Sequence, residues 1–190
     1  MDEQFSVELK NSLVCLGEGG LIVYPTDTVW GLGCDATNDA AVASLLKLKM
    51  KVQGQGLIIL LDKPEKIKDY VKELDEQNIH KLTSLGKPLT LIFDDGHGVA
   101  RQVLHENGSI AIRIPSDEFC RSLVIQLGKP IVSTSANLSM DTLPNSYSDI
   151  SESILKGVDY VVNLRREKIM NSPSDIAKVQ PDGSLEYIRI

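Results

Sequence analysis

The chain has 190 residues, a formal net charge of −6 and a sequence pI near 5.1. That length suits one domain with a real core, and 42% hydrophobic against 24% charged residues is the balance of an ordinary globular protein. The acidic excess argues against a protein whose main work is non-specific nucleic-acid binding, because neutralising phosphates takes a surplus of Lys and Arg, and leaves room only for a local basic cleft. Along the chain, Phe5, Leu9, Leu13 and Leu16 mark a helix that stops in the Gly17–Gly20 region. Leu21–Tyr24 is a short apolar run halted by Pro25 and predicts a buried strand. Asn38 is placed to cap a helix through Lys51, with Val42, Leu45 and Leu46 inward and the lysines outward. Gly56–Leu61 predicts another buried strand, and Asp62–Pro64 a helix start, followed by a helix over Asp75–Leu85.

Leu89–Phe93 and Ser109–Ile114 predict two further strands, the second with Arg113 on the opposite face from Ile112 and Ile114. Ser116 is placed to cap a helix running to Leu127, with Gly128 as its stop. Ile131–Ser133 is a short strand entering a polar loop. A helix over Asp149–Lys156, a strand at Tyr160–Val162 and a terminal strand pair around Pro181-Asp182-Gly183 complete the chain. Strands and helices interleave throughout, so the expected class is α/β: a twisted mixed sheet with flanking helices, in a single domain over residues 1–190.

No run approaches the ~20 apolar residues of a membrane helix. The start, MDEQFSVELK, has the pattern of neither a secretory signal nor a transit peptide. Cys15, Cys34 and Cys120 lack paired spacing and are expected as buried thiols in a reducing, cytoplasmic setting.

Four polar segments follow or interrupt the expected strands, where open sheets usually carry sites. They are Tyr24–Gly33, Lys47–Gly56, Ser109–Pro115 and Ser133–Ser139. Together they offer hydroxyls, an amide and fixed cations, groups that bind anions and polar small molecules. There is no Walker A sequence, no Rossmann glycine fingerprint and no G-x-S-x-G elbow, and His80, His97 and His105 lie outside the four segments with no metal spacing. Each segment also has an ordinary reading. Thr26-Asp27-Thr28 also suits a plain turn, Lys47, Lys49 and Lys51 a solvated helix face, and Ser133–Ser139 a simple loop. Arg113 and Arg189 also suit surface charges, and Ser174 a backbone partner after Pro173. Residue types alone stop at an α/β protein with a polar, anion-friendly cleft.

The segments in this order resemble the YrdC family. Tyr24-Pro25-Thr26-Asp27-Thr28-Val29-Trp30-Gly31-Leu32-Gly33 is similar to its YPT(D/E)TVYGLG signature, and Lys49-Met50-Lys51 stands at its K-x-R element. The stretches KPLTLIF, SIAIRIP and STSANLS resemble its PGPxTLIL, T-x-A-V-R-x-P and S-x-SANxSG elements. Pro173-Ser174-Asp175-Ile176 resembles its P-S-T-I segment, and Arg189 falls at its late arginine. The resemblance runs from Gly19 to Arg189.

The resemblance implies a twisted α/β sheet with a concave cleft and an enzyme that joins L-threonine, bicarbonate and ATP, with Mg²⁺, into threonylcarbamoyl-AMP and pyrophosphate. The product would pass to a partner tRNA threonylcarbamoyl transferase complex, with at most a weak, salt-sensitive tRNA contact by this chain. By the same resemblance Thr28, Arg113 and Ser174 would hold threonine, with Arg113 on its carboxylate. Lys51, Ser109, Ser135, Asn137 and Arg189 would hold ATP, and Lys49 and Lys51 would carry the electrostatic part of catalysis. The chain departs from the pattern at Lys51 (commonly Arg), Val52 (Pro), Gln55 (Asn or Lys), Leu60 (His in longer members), Lys87 (Gly) and Met140 (Gly). Two other readings stand beside the synthase. One is a paralogue that binds nucleotide or double-stranded RNA without this synthesis; the other is a carbamoyl-transfer relative of the hydrogenase-maturation type.

Overall fold

A computed structural model describes residues 3–51, 54, 56–72, 87–170 and 172–189. The first apolar stripe forms α1 (Glu3–Gly17), and the chain then enters β1 (Ile22–Tyr24). The next segment, expected as a polar loop, contains a short buried strand, β2 (Gly31–Gly33), antiparallel to β1. Asn38 caps α2 (Asp39–Lys49) as its position suggests: its Oδ1 accepts the N–H groups of Ala40 and Ala41, each at 3.1 Å. The helix ends at Lys49 rather than Lys51, because Met50 turns to a left-handed φ of 53°. Lys51 therefore leaves the helix axis altogether.

β3 (Ile58–Leu60) follows, then a 3₁₀ helix over Pro64–Asp69 where an α-helix start was expected. The helix expected over Asp75–Leu85 lies outside the described residues. β4 (Leu89–Phe93) has its expected bounds, and a 3₁₀ turn at Arg101–Val103 leads to β5 (Ile110–Arg113). The cap of α3 (Glu118–Leu127) is Asp117, whose Oδ1 accepts the N–H of Cys120 at 2.9 Å. Ser116 is spent elsewhere, on Asp27. Gly128 stops the helix at φ 70°. β6 runs on to Ser135 (Ile131–Ser135), because its far half pairs with β2. The helix expected over Asp149–Lys156 divides into a 3₁₀ turn, Tyr147–Asp149, and α4 (Glu152–Gly157), capped by Ser151. β7 (Tyr160–Val161) precedes the terminal pair β8 (Asp175–Val179) and β9 (Leu185–Arg189). No helix among the described residues is long and apolar enough to cross a membrane.

The strands form one mixed sheet in the order β7-β1-β2-β6-β3-β5-β4-β8-β9. Three neighbouring pairs, β1 with β7, β3 with β5 and β4 with β8, are parallel, and the others antiparallel. Alternation along the strands divides two apolar layers. Val23, Leu32, Ile59, Ile112 and Val132 face α2 and α4, packing with Val42, Leu45, Leu46 and Ile154. Ile22, Tyr24, Leu60 and Ile131 face the other way and pack under α1 and α3, against Leu9, Leu16, Phe119 and Leu123. That second face continues past the helices as Ile58, Ala111, Ile92 and Ile176, which floor a cavity instead of a helix contact.

The close pairing of β1, β2 and β6 depends on Gly33. A Cβ there would stand 2.5 Å from the Val132 carbonyl oxygen and 2.9 Å from the Tyr24 ring. The backbone oxygen cannot swing away, so Gly33→Ala is expected to cost about 1–3 kcal/mol, the usual scale for overpacking. Gly17 has nothing within 4 Å of such a Cβ, and Gly17→Ala at the helix end should be neutral or slightly stabilising. Urea midpoints of the two variants check this. Equal midpoints would mean that the three strands absorb a methyl group without strain.

Candidate functional site

A cavity of about 290 Å³ lies on the part of the sheet that α1 and α3 leave uncovered. Strand register lays out its floor. Ser133, Ile58, Ala111 and Ile92 form one row across β6, β3, β5 and β4. The next row brings Leu60, Arg113, Thr90 and Ile176 abreast, with Arg189 opposite Ile176 on β9.

Arg113 is only 4% exposed, so its guanidinium needs partners inside the protein. One terminal nitrogen donates to Thr28 Oγ1 at 2.7 Å and lies 3.2 Å from Asp27 Oδ1. Its Nε is buried without a partner. The loop after β1 is built to present these groups. Thr26 Oγ1 donates to the Val29 carbonyl at 2.7 Å and accepts the Thr28 N–H at 3.0 Å, so the Thr28 hydroxyl donates in turn to Thr26 at 2.9 Å. Asp27 Oδ2 accepts the N–H and hydroxyl of Ser116, at 2.9 and 3.0 Å, tying the loop to the entrance of α3. Thr28 is thereby left as an acceptor for Arg113. Asp27 is the carboxylate that offsets the buried cation.

Ser174 enters from the far side. Its hydroxyl shares a 2.8 Å hydrogen bond with Thr90, and its carbonyl accepts from Arg189 Nε at 3.2 Å and a terminal nitrogen at 2.7 Å. Desolvation pulls the Arg189 guanidinium below its ordinary pKa, with Asp175 acting against that shift. At the opposite end, Lys51 Nζ donates to the Gly56 carbonyl at 2.9 Å, and burial lowers its pKa. Gly56 precedes β3 and Arg113 pairs with Leu60 at the strand's far end, so the Lys51 end and the Arg113 row lie at opposite ends of β3.

Thr28, Lys51, Arg113, Ser135, Ser174 and Arg189 all line the cavity. Lys49, Ser109 and Asn137 stand behind its wall. Ser109 N–H and Oγ both donate to Asn107 Oδ1, at 3.0 and 2.8 Å. Lys49 is 3% exposed, and its ammonium donates to the carbonyls of Ser135 and Asn137, each at 2.7 Å, with Asn137 Oδ1 at 3.4 Å. Asn137 Oδ1 accepts from the Ser135 hydroxyl, while its amide donates to the Asp141 carbonyl at 2.8 Å. Ser139 closes the arrangement by donating its N–H and hydroxyl to the Lys49 carbonyl, both at 3.0 Å. Lys49 thus pins the 135–139 loop to the end of α2. The helical spacing Val42, Leu45/Leu46, Lys49 already placed it on the inward stripe.

Two residues of the site, Asp27 behind Arg113 and His105 in the wall, have no role among the sequence candidates. Asp27 stood inside a quoted segment but without a role. His105 had no local signal, since the contact between the Leu57 N–H and the Val103 carbonyl, 2.9 Å, brings its turn to the cavity. No cluster of His, Cys, Asp and Glu that could hold a metal ion occurs among the described residues, and none of the described lining residues is a carboxylate. With Arg113, Arg189, Lys51 and several hydroxyls, the lining fits an anionic ligand.

Burial, reinforced by the neighbouring Lys51 charge, lowers the Lys49 pKa to about 8 from 10.5. The unfolded chain therefore takes up this proton first as pH falls. The contribution of Lys49 to stability rises between about pH 8 and 10.5 and is flat below that window. Melting temperatures of the native chain and Lys49→Met, compared from pH 7 to 10, should separate by an amount that changes only above about pH 8. A pH-independent separation would show an ordinary solvated lysine.

Comparison with known proteins agrees with this architecture. A threonylcarbamoyl-AMP synthase of Xanthomonas oryzae pv. oryzae is 34% identical over 161 residues, 82% of this chain and 84% of its own. One from Blochmanniella pennsylvanica is 30% identical over 172 residues, 89% and 87% of the two chains. Among solved structures, P. abyssi Sua5 complexed with L-threonine superposes with a TM-score of 0.80 at 24% identity, over 94% of this chain and 52% of that one. E. coli YciO superposes with a TM-score of 0.81 at 22% identity, over 99% and 90%. This chain thus spans about half of the Sua5 chain and most of YciO. A family model for Sua5, YciO and YrdC, described as telomere recombination, matches residues 15–190, and the chain belongs to that family.

Proposed function

We propose that this chain is a threonylcarbamoyl-AMP synthase, forming threonylcarbamoyl-AMP and pyrophosphate from L-threonine, bicarbonate and Mg²⁺-ATP. The observation that carries this reading is the two-ended cavity. A buried arginine with a free Nε sits at one end of β3 and a lysine at the other, over a floor of Ala111 and Ile58. An amino acid carboxylate suits the planar, buried fork of Arg113. A triphosphate suits the point charge of Lys51, with Arg189 and the Ser135 hydroxyl along the walls.

In this reading the threonine amine adds to bicarbonate, losing water, to give a carbamate. A carbamate oxygen attacks the α-phosphorus of ATP, and the bond to the bridging oxygen breaks as pyrophosphate leaves. The reaction needs placement and charge stabilisation more than a protein nucleophile, in keeping with a lining of hydroxyls and cations. Arg113 orients threonine by its carboxylate, while Thr28 and Ser174 offer hydroxyls beside it. Lys51 offsets charge gathering on the phosphates. Mg²⁺ would enter with the nucleotide substrate and help offset its phosphate charge. Lys49, Asn137 and Ser109 act through the walls they hold. The product, a reactive mixed anhydride, would be handed to a tRNA threonylcarbamoyl transferase in the cytoplasm.

Pyrophosphate release with threonine, bicarbonate and ATP each omitted in turn tests the reading. Release unchanged without threonine would overturn it in favour of a nucleotide- or RNA-binding paralogue. Within that assay, Arg113→Ala should raise the threonine KM far more than the ATP KM, a loss of about 2–5 kcal/mol for removing a desolvated charge partner. Lys51→Met should lower turnover ~100-fold or more, while Lys51→Arg keeps much of it. Equal effects of Arg113→Ala on both substrates would move Arg113 out of the amino acid site.

A further inference from the structure

His105 is an imidazole in the cavity wall to which no role has been given. Its place is fixed by a hydrogen-bonded turn: His105 N–H donates to the Ser109 carbonyl at 3.0 Å, and Gly108 N–H donates back to the His105 carbonyl at 3.0 Å. The turn docks on the segment after α2, with Glu106 N–H donating to the Gly54 carbonyl at 3.1 Å. The ring lies edge-on against Gly56, whose φ is +65°; a Cβ there would be 2.2 Å from Nε2. Only glycine fits, on both counts. The carbonyl of that same glycine accepts from Lys51, so imidazole and ammonium flank a single peptide at one end of the cavity.

Neither ring nitrogen has a hydrogen-bond partner among the described residues, although the backbone of the turn is bonded at His105, Glu106 and Gly108. A side chain carried on a hydrogen-bonded turn, facing a cavity with its polar atoms unused, is arranged for a ligand. The ligand chemistry follows from its surroundings. Lys51 faces it from the segment after α2, Arg113 and Arg189 line the same cavity from β5 and β9, and no carboxylate is among the described lining residues. Glu106, exposed on the turn itself, lies against Gly54. An anion at Lys51 is therefore an anion at His105.

We propose that His105 is a second ligand for the polyphosphate end of the cavity, closing with Lys51 on a pyrophosphate or triphosphate group and taking up a proton from solvent as it does so. The proposal rests on assigning the Lys51 end to phosphate. In the empty cavity burial and the Lys51 charge both lower the pKa of the imidazole, so it waits neutral. A phosphate group beside it reverses the local field and favours the imidazolium, which donates from both nitrogens. Binding and protonation are then linked, and each strengthens the other.

Inorganic pyrophosphate is the probe, without threonine or bicarbonate, titrated calorimetrically from pH 8 to pH 6 into the native protein, His105→Asn and His105→Gln. Pyrophosphate itself titrates in this range, so the quantity read is the difference between native and variant proteins. The native protein should gain affinity over either variant by about tenfold at pH 6 for each unit by which the bound-state pKa exceeds 6, with the gap narrowing toward pH 8. Its binding enthalpy at pH 7 should vary with the ionisation enthalpy of the buffer more than that of the variants. Two variants of different length, each checked for a native melting curve, guard against a packing artefact at Gly56. Parallel pH profiles with undiminished affinity in both variants would overturn the proposal. The outcome separates cleanly from the synthase reading. Linkage without threonine-dependent turnover leaves His105 in place and removes the synthase, whereas turnover without linkage does the reverse.

Discussion

A guanidinium buried in the middle of a sheet is a costly object, and much of this molecule is arranged around the one at Arg113. Taking such a charge out of water is tolerated only when fixed partners replace the lost solvent. Here they come from a loop whose hydrogen bonds are already committed: Thr26 to Val29, Thr28 to Thr26, Asp27 to Ser116. The commitment leaves Thr28 Oγ1 and one Asp27 oxygen facing the arginine. Because Ser116 stands just before the cap of α3, the helix packed over the second apolar layer also fixes the height of the loop. The charge, the loop and the helix entrance form one mechanical unit.

A comparable economy operates at the other wall. The 135–139 loop contains short polar side chains that compete for backbone partners and have no strong fold of their own. Lys49 resolves that competition by giving its ammonium protons to the loop carbonyls from the inward stripe of α2, and Ser139 returns two bonds to the Lys49 carbonyl. The wall is rigid because a charge is spent inside it. Lys49 and Lys51, two residues apart, end in different places because Met50 takes the left-handed conformation between them.

Much of this was legible in the sequence, for identifiable reasons. Apolar runs such as Leu89–Phe93 and the capped stripe from Asn38 carry strong local signals, and the ordered polar segments pointed to the cavity. Arg113 was visible as the odd residue in an alternating strand, though alternation alone cannot say whether the odd face meets solvent or a closed pocket. Boundaries failed where tertiary pairing overrode local preference. β6 extends to Ser135 because β2 offers a partner, and Ser116 abandons its expected cap because Asp27 binds it. Lys49 was misplaced by counting a lysine run as a solvated face when its helical spacing put it inward. His105 was beyond reach, since its position depends on a contact between Leu57 and Val103 across 46 positions of chain.

The three cysteines give the fold a property unrelated to chemistry at the cavity. Cys34 and Cys120 are fully enclosed, one in each of the two apolar layers, and burial raises both thiols, Cys34 to about 12. Cys15, half-covered at the end of α1, is raised to about 11 by burial and the nearby Asp159 and Glu18 charges. Alkylating reagents attack the thiolate, so the native state presents almost nothing to them. Each layer therefore carries its own silent clock. The rate at which Cys34 or Cys120 becomes labelled measures how often that side of the sheet opens, layer by layer, without any probe having been added to the chain.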